Sequence, residues 1–164
     1  MSSSILNPED AREYPSRPIV SVAGIVIREN HVLLIRRGRE PLKGAWSLPG
    51  GGLLLGERIE VGVRREVLEE TGLDARPVEL IEVLDRISRD PSGRAQYHYV
   101  LLDWLCIVQT ATLSDGTLPR VTAASDAAEA VWAHLDALSA LDLEPVTVRV
   151  IERAAHRAKE LAFS

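Results

Sequence analysis

Three glutamates, Glu66, Glu69 and Glu70, fall within five consecutive positions directly after Arg65, and Glu57 stands eight positions before that arginine. On an α-helix with Glu66 at zero, Glu70 projects at about +40°, Glu69 at about −60° and Arg65 at about −100°. The carboxylates therefore share one sector. Val63 and Val67, at about +60° and +100°, set that sector beside an apolar stripe, not on the far solvent side. Like charges at this spacing oppose one another. A hard divalent cation reverses the sign of that interaction, because Mg2+ takes carboxylate oxygens and keeps positions open for the oxygens of a phosphate. Arg65 can grip a carboxylate through two parallel hydrogen bonds, and Glu57 is its natural partner. Gly62, at about −40°, leaves bare backbone in the same sector and reads as room for an approaching ligand.

The elements that must position this cluster follow from the flanking pattern. Between Glu57 and Thr71 there is no proline, and Ile59, Val63 and Val67 recur every fourth residue, which predicts a helix ended by Gly72. Ahead of it, Leu48-Pro-Gly-Gly-Gly52 is a glycine-rich turn, and Leu53 to Leu55 reads as a short strand. Upstream, Pro18 to Ile27 and His31 to Arg37 are apolar strands joined at Glu29-Asn30, a hairpin. Downstream, Val78 to Ser88 and Gln96 to Val108 are β-rich runs around Asp90-Pro-Ser-Gly93, a turn in which proline presets φ and glycine relieves the exit. Ala130 to His134 reads as a strand, Leu135 to Leu141 as a short helix, and Pro145 to Ala162 as an amphipathic helix with proline in its first turn. Strands joined by hairpins, with helices between them, indicate an α+β fold. Residues 1–17 carry Pro8 and Pro15 without periodicity and read as an arm, leaving residues 18–164 as a single domain.

The segment from Gly51 to Leu73, GGLLLGERIEVGVRREVLEETGL, has a glycine, five spacers, Glu57, seven spacers, then Arg-Glu-Val-Leu-Glu-Glu-Thr-Gly-Leu. Its nine specified positions (Gly51, Glu57, Arg65, Glu66, Val67, Glu69, Glu70, Gly72 and Leu73) match the Nudix box, and the chain resembles the Nudix hydrolases from Pro18 to about Leu141. The resemblance implies an α/β/α sandwich around a mixed sheet. It also implies Mg2+- or Mn2+-dependent hydrolysis of a nucleoside diphosphate linked to another moiety. Glu66, Glu69 and Glu70 resemble the family's metal ligands, with the Gly50 carbonyl as a further oxygen. Glu57 resembles the outer carboxylate held by Arg65. The box leaves the base open: Glu69 is one candidate, and a carboxylate ahead of the last strand, Asp126 or Glu129, is another. Leu54 and Gly62 stand where many members carry an acid and an alanine.

Substrate contacts are expected from Arg36, Arg37 and Arg39 at the end of the second strand, from Trp46 stacking on a base, and from Gly51 at the bend. Of Tyr97, His98 and Tyr99, which alternate on a strand, one face at most can line a cleft. Cys106, the single cysteine, sits in an apolar run and reads as inert core. With 19 Lys+Arg against 24 Asp+Glu, the net charge of −5 is a poor match for a nucleic-acid backbone, so a small nucleotide is the expected partner. No apolar run reaches the ~18 residues a membrane span needs, and the N-terminus lacks the pattern of an export signal. A cytoplasmic enzyme is the expectation. The stretch from Val83 to Val100 resembles sugar-nucleotide members, which favours ADP-ribose or a nucleotide sugar. Against it stand a nucleoside triphosphate pyrophosphohydrolase and a non-catalytic nucleotide sensor. Members of the sugar-nucleotide group are often homodimers, and Leu53 to Leu55 or the arm would be the contact.

Overall fold

The computed structural model describes residues 12–108 and 117–162; most of the expected N-terminal arm lies outside them. Strands β1 (Ile19–Arg28) and β2 (His31–Arg37) form the expected hairpin, turned at Glu29 and Asn30, both with positive φ. Then follow β3 (Trp46–Ser47), β4 (Gly50–Gly52), helix α1 (Ile59–Thr71), β5 (Ala75–Arg89), β6 (Ala95–Val108), β7 (Ala127–His134), a 3-10 turn (Leu135–Ala140) and α2 (Pro145–Ala162). The sheet runs β3-β2-β1-β6-β5, with β4 also on β1 and β7 also on β2. All pairings are antiparallel except β1 with β6, so the sheet is mixed.

Alternation along β1 sends side chains to two cores, one on each face. Val22 and Val26 meet Val63 and Val67 of α1, with Leu33 and Cys106. Ala23 and Ile25 face Leu105, Leu34 and, from α2, Val150, Ile151 and Ala154. Two helices on opposite faces of one sheet make the α/β/α sandwich expected above. Gly24 governs how closely α1 approaches: a Cβ there would collide with the Val67 side chain. Glu79 and Glu82 of β5 take Arg157 and Arg149 of α2 at 2.8 and 2.9 Å, aligning the second helix along the edge strand.

Four local expectations change. Leu53 to Leu55 is not a strand: Leu54 accepts a hydrogen bond from the Glu57 amide, Gly56 turns the chain at φ +80°, and Leu55 is wholly exposed. The strand lies earlier, at Gly50–Gly52, where three glycines pair with Ser21, Val22 and Ala23. Helix α1 starts at Ile59, because Arg58 is extended and the Glu57 carboxylate is used elsewhere. Gly62 does not make room for a ligand: a Cβ there would meet the Leu53 side chain at 2.7 Å and the Glu57 carboxylate at 3.0 Å, so the space serves the loop.

Candidate active site

Arg65 ties the loop before α1 to the helix. Its Nε and Nη2 donate to the two Glu57 oxygens at 2.7 and 2.9 Å, and Nη2 also donates to the Gly52 carbonyl at 3.1 Å. The Leu54 amide adds a hydrogen bond to Glu57 Oε2 at 3.0 Å. The guanidinium beside it holds the Glu57 carboxyl below its ordinary pKa, so the pair stays charged. The third nitrogen, Nη1, reaches Glu66 Oε1 at 2.6 Å. A planar donor fork in this position fixes loop, helix and the first carboxylate together.

Glu66 and Glu70 are carried one turn apart on α1 and both line a cavity of about 430 Å3. Glu70 is only 3% exposed, and its Oε2 accepts the Gly50 amide at 2.9 Å. Burial pushes its carboxyl up to about 8; Glu66 and Asp126 push in the same direction, and the Gly50 amide and Arg37 pull against them. Burial also raises Glu66, against the pull of Arg65. Gly51 makes this arrangement possible, since a Cβ there would stand 2.6 Å from Glu66 Oε1. Glu69 lies outside the cavity lining, half exposed, with Oε2 3.4 Å from Arg65. Among the described residues no three His, Cys, Asp or Glu side chains form a ready-made metal cage.

The loop before β7 is bound down over these carboxylates. The Thr122 amide donates to the Thr71 carbonyl and the Ala124 amide to the Glu70 carbonyl, at 2.9 and 3.1 Å. This places Asp126 in the cavity, with Arg39 Nε 3.0 Å from its Oδ1. Glu129 is elsewhere, paired with Arg36 at 2.9 Å. Arg36 and Arg37 are successive residues of β2 at which its pairing with β7 shifts register, and they are used differently. Arg37 lines the cavity, whereas Arg36 is outside the lining and lies over the Trp46 ring, 5.1 Å from its centroid. Trp46, Gly50 and Gly51 line the cavity, as does Tyr99; His98 points the other way, toward Asp85.

The rest of the cavity is built by the sheet and by the start of α2. Ser21 and Ala23 of β1, Leu101 of β6 and Leu84 of β5 face it, and residues 142–147 close one side. Two charged residues here were not anticipated. Arg86 of β5 lines the cavity and pairs with Glu144 at its rim. Asp103 of β6 is 2% exposed, and its Oδ1 has no hydrogen-bond partner. Burial pushes the Asp103 carboxyl up to about 7, with Arg86 opposing and Glu82 adding to the rise. The signal for Asp103 was an acid in the middle of the apolar run Tyr-Val-Leu-Leu-Asp-Trp-Leu-Cys.

Comparison with known proteins agrees with this geometry. An ADP-ribose pyrophosphatase of Methanocaldococcus jannaschii is 38% identical over 104 residues, 62% of each chain. The chain spans less than two thirds of the length of the curated relatives it matches. A Nudix hydrolase from Nitrosomonas europaea superimposes with a TM-score of 0.64 at 25% identity, covering 87% of this chain and 91% of that one. A bifunctional NMN adenylyltransferase/ADP-ribose pyrophosphatase from Francisella tularensis, solved with AMP and a manganese ion, gives a TM-score of 0.53 at 27% identity, over 71% of this chain and 34% of that one. The family model for the NUDIX domain matches residues 17–154, nearly the whole described fold, and the chain therefore belongs to the NUDIX domain family.

Proposed function

We propose that this chain hydrolyses the pyrophosphate bond of a nucleoside diphosphate joined to a second moiety, with ADP-ribose as the favoured substrate and Mg2+ or Mn2+ as cofactor. One observation carries the reading: Glu70, buried, and Glu66, part-buried one turn away, lie at the edge of a nucleotide-sized cavity with their charge only partly met by the protein. Hard carboxylate oxygens, crowded and short of cations, fit a hard divalent ion and little else. The kinship to an ADP-ribose pyrophosphatase supports the substrate class.

Glu66 and Glu70 would hold the metal, with Glu69 and the Gly50 carbonyl as further oxygens. The metal supplies charge neutralisation on the pyrophosphate oxygens. The protein's own groups do the positioning. Arg65 and Glu57 keep the glycine strand and α1 in register, and the Gly50 amide fixes the Glu70 carboxylate. Arg37, which already acts on Glu70 through its charge, faces the phosphates, and Trp46 offers its ring to a base. Asp126, a cavity-lining carboxylate whose charge acts on Glu66 and Glu70, would accept a proton from the attacking water; Glu69 is the other candidate base.

The test is turnover on a panel of ADP-ribose, nucleotide sugars and nucleoside triphosphates with Mg2+ or Mn2+, with products identified. AMP plus ribose 5-phosphate from ADP-ribose is the expected result. A monophosphate plus pyrophosphate from a triphosphate would move the substrate class, and a silent panel in both metals would overturn the enzymatic reading. Glu70→Gln, which keeps the Gly50 hydrogen bond acceptor, is expected to fold normally by circular dichroism and to lose turnover.

A further inference from the structure

The cavity has two electrostatic poles. At one, Glu66, Arg37 and Asp126 act on Glu70; at the other, Asp103 feels Arg86 and Glu82, and Arg86 in turn feels Arg37. Ala23 links them, because it is the register partner of Gly50 on one side and of Asp103 on the other. Two strand spacings, about 10 Å, therefore separate the glycine that anchors Glu70 from the backbone that carries Asp103. That separation is comparable with the reach from a nucleotide's phosphates through its ribose to the base.

A buried carboxylate oxygen without a partner is costly, and native folds seldom keep one without use. Arg86 offsets part of that cost through its charge, but no neighbour donates a hydrogen bond to Oδ1. Arg86 is drawn to Glu144, and Glu82 is taken by Arg149 and Arg153. Leu84 and Leu101 line the cavity from the same two strands as Arg86 and Asp103, and Leu48 and Trp46 add apolar surface to it. Such walls suit an aromatic ring, and a carboxylate at their edge suits an N–H donor on that ring.

We propose that Asp103 reads the base: it accepts a hydrogen bond from an amino group on the edge of a nucleobase seated against these apolar walls. The assignment rests on the nucleotide reading given above and adds a selectivity to it. Bases that carry an amine at this edge gain the bond, and bases that lack the amine leave the carboxylate orphaned and bind more weakly.

Calorimetric binding without catalysis tests this on the whole chain, using pairs of monophosphates in which one member carries an exocyclic amine and the other lacks it: AMP against purine riboside monophosphate, GMP against IMP, and CMP against UMP, whose 4-oxo group and N3–H replace the amine and the bare N3. At least one amino member should bind about tenfold or more tighter than its partner. In Asp103→Leu that ratio should fall to near one, while thermal stability is unchanged or higher, since the variant removes a buried unpaired group. A structural role would instead lower stability and leave the ratio alone. A ratio near one in the parent chain, an unaltered ratio in Asp103→Leu, or no binding of any of the six overturns the assignment. Preserved selective binding with no hydrolysis of any diphosphate would overturn the proposed reaction and leave the base-reading role standing.

Discussion

Asp103 also offers a measurement of what a buried acid costs this fold, through Asp103→Asn. The side chain keeps its shape and loses its ionisation. Its ordinary pKa is 3.8, and burial raises it to about 7 in the folded chain. At about 1.4 kcal/mol per pKa unit, the gap is worth about 4 kcal/mol. The folded state holds the proton more tightly, so the stability linked to this group is complete below pH 3.8 and drains away as pH rises to about 7. Asparagine has no such loss. The opposing charges that face it, Arg86 and Glu82, act on the ionised carboxylate alone and are already contained in the raised value. Relaxation around the charge trims the full figure, so the variant should be the more stable by about 2–4 kcal/mol at pH 8 and equal to the parent near pH 4. In melting temperature this is roughly 5–15 °C. Urea unfolding of both chains at pH 4, 6, 7 and 8 in chelator reads it directly. A difference that does not change with pH, or a variant less stable at pH 8, would refute the claim that this carboxyl is desolvated and unpaired.

Two other perturbations bear on the acidic cluster, and a third on the core beneath α1. Arg65→Lys keeps the charge but loses the fork that spans Glu57 and the Gly52 carbonyl; it should cost about 2–3 kcal/mol in urea unfolding and lower kcat/KM as well, and a loss under about 0.5 kcal/mol would show the fork to be dispensable. Gly51→Ala puts a methyl 2.6 Å from a Glu66 oxygen, the far end of a movable side chain, so stability should fall by less than about 1 kcal/mol while metal-dependent turnover drops far more; equal turnover would separate Glu66 from the chemistry. Cys106, fully buried and with its thiol pushed up to about 12, should resist disulfide reagents in the folded chain and react only as denaturant opens the core.

How far the sequence could be read depended on how far apart the cooperating residues lie along it. Glu57, Arg65, Glu66, Glu69 and Glu70 sit on one short loop and one helix, so their spacing alone put the guanidinium on Glu57 and three carboxylates in one sector, of which Glu66 and Glu70 line the cavity and Glu69 does not. Helix α2 was equally plain, since proline sets its start and its apolar stripe has no competitor. Leu53 to Leu55 misled because three leucines look like a strand, yet their backbone is spent on closing a turn onto Glu57. Arg36 and Arg37 were indistinguishable by type; only the pairing of β2 with β3 and β7 decides which of them faces the cavity.

Asp103 marks where local reading ends, and the reason is physical. Its neighbours come from β1, β5 and the rim of α2, and its strand meets β1 in parallel, a pairing that no turn or short spacing announces. An acid in an apolar strand is a contradiction of local pattern, and such contradictions collect where a fold gives up stability for function. The acidic pair on α1 shows the same conflict: Glu70 is the most buried of the box acids and the most strongly raised. Both carboxyls weaken the empty fold at neutral pH, and both face one cavity. A ligand that carries a cation at one end and an amine at the other would relieve the two costs together, so its binding should stabilise the chain more at pH 8 than at pH 5. Thermal shifts with AMP and Mg2+ measured at the two pH values decide it: an equal shift at both would mean that the two buried acids are not what the ligand satisfies.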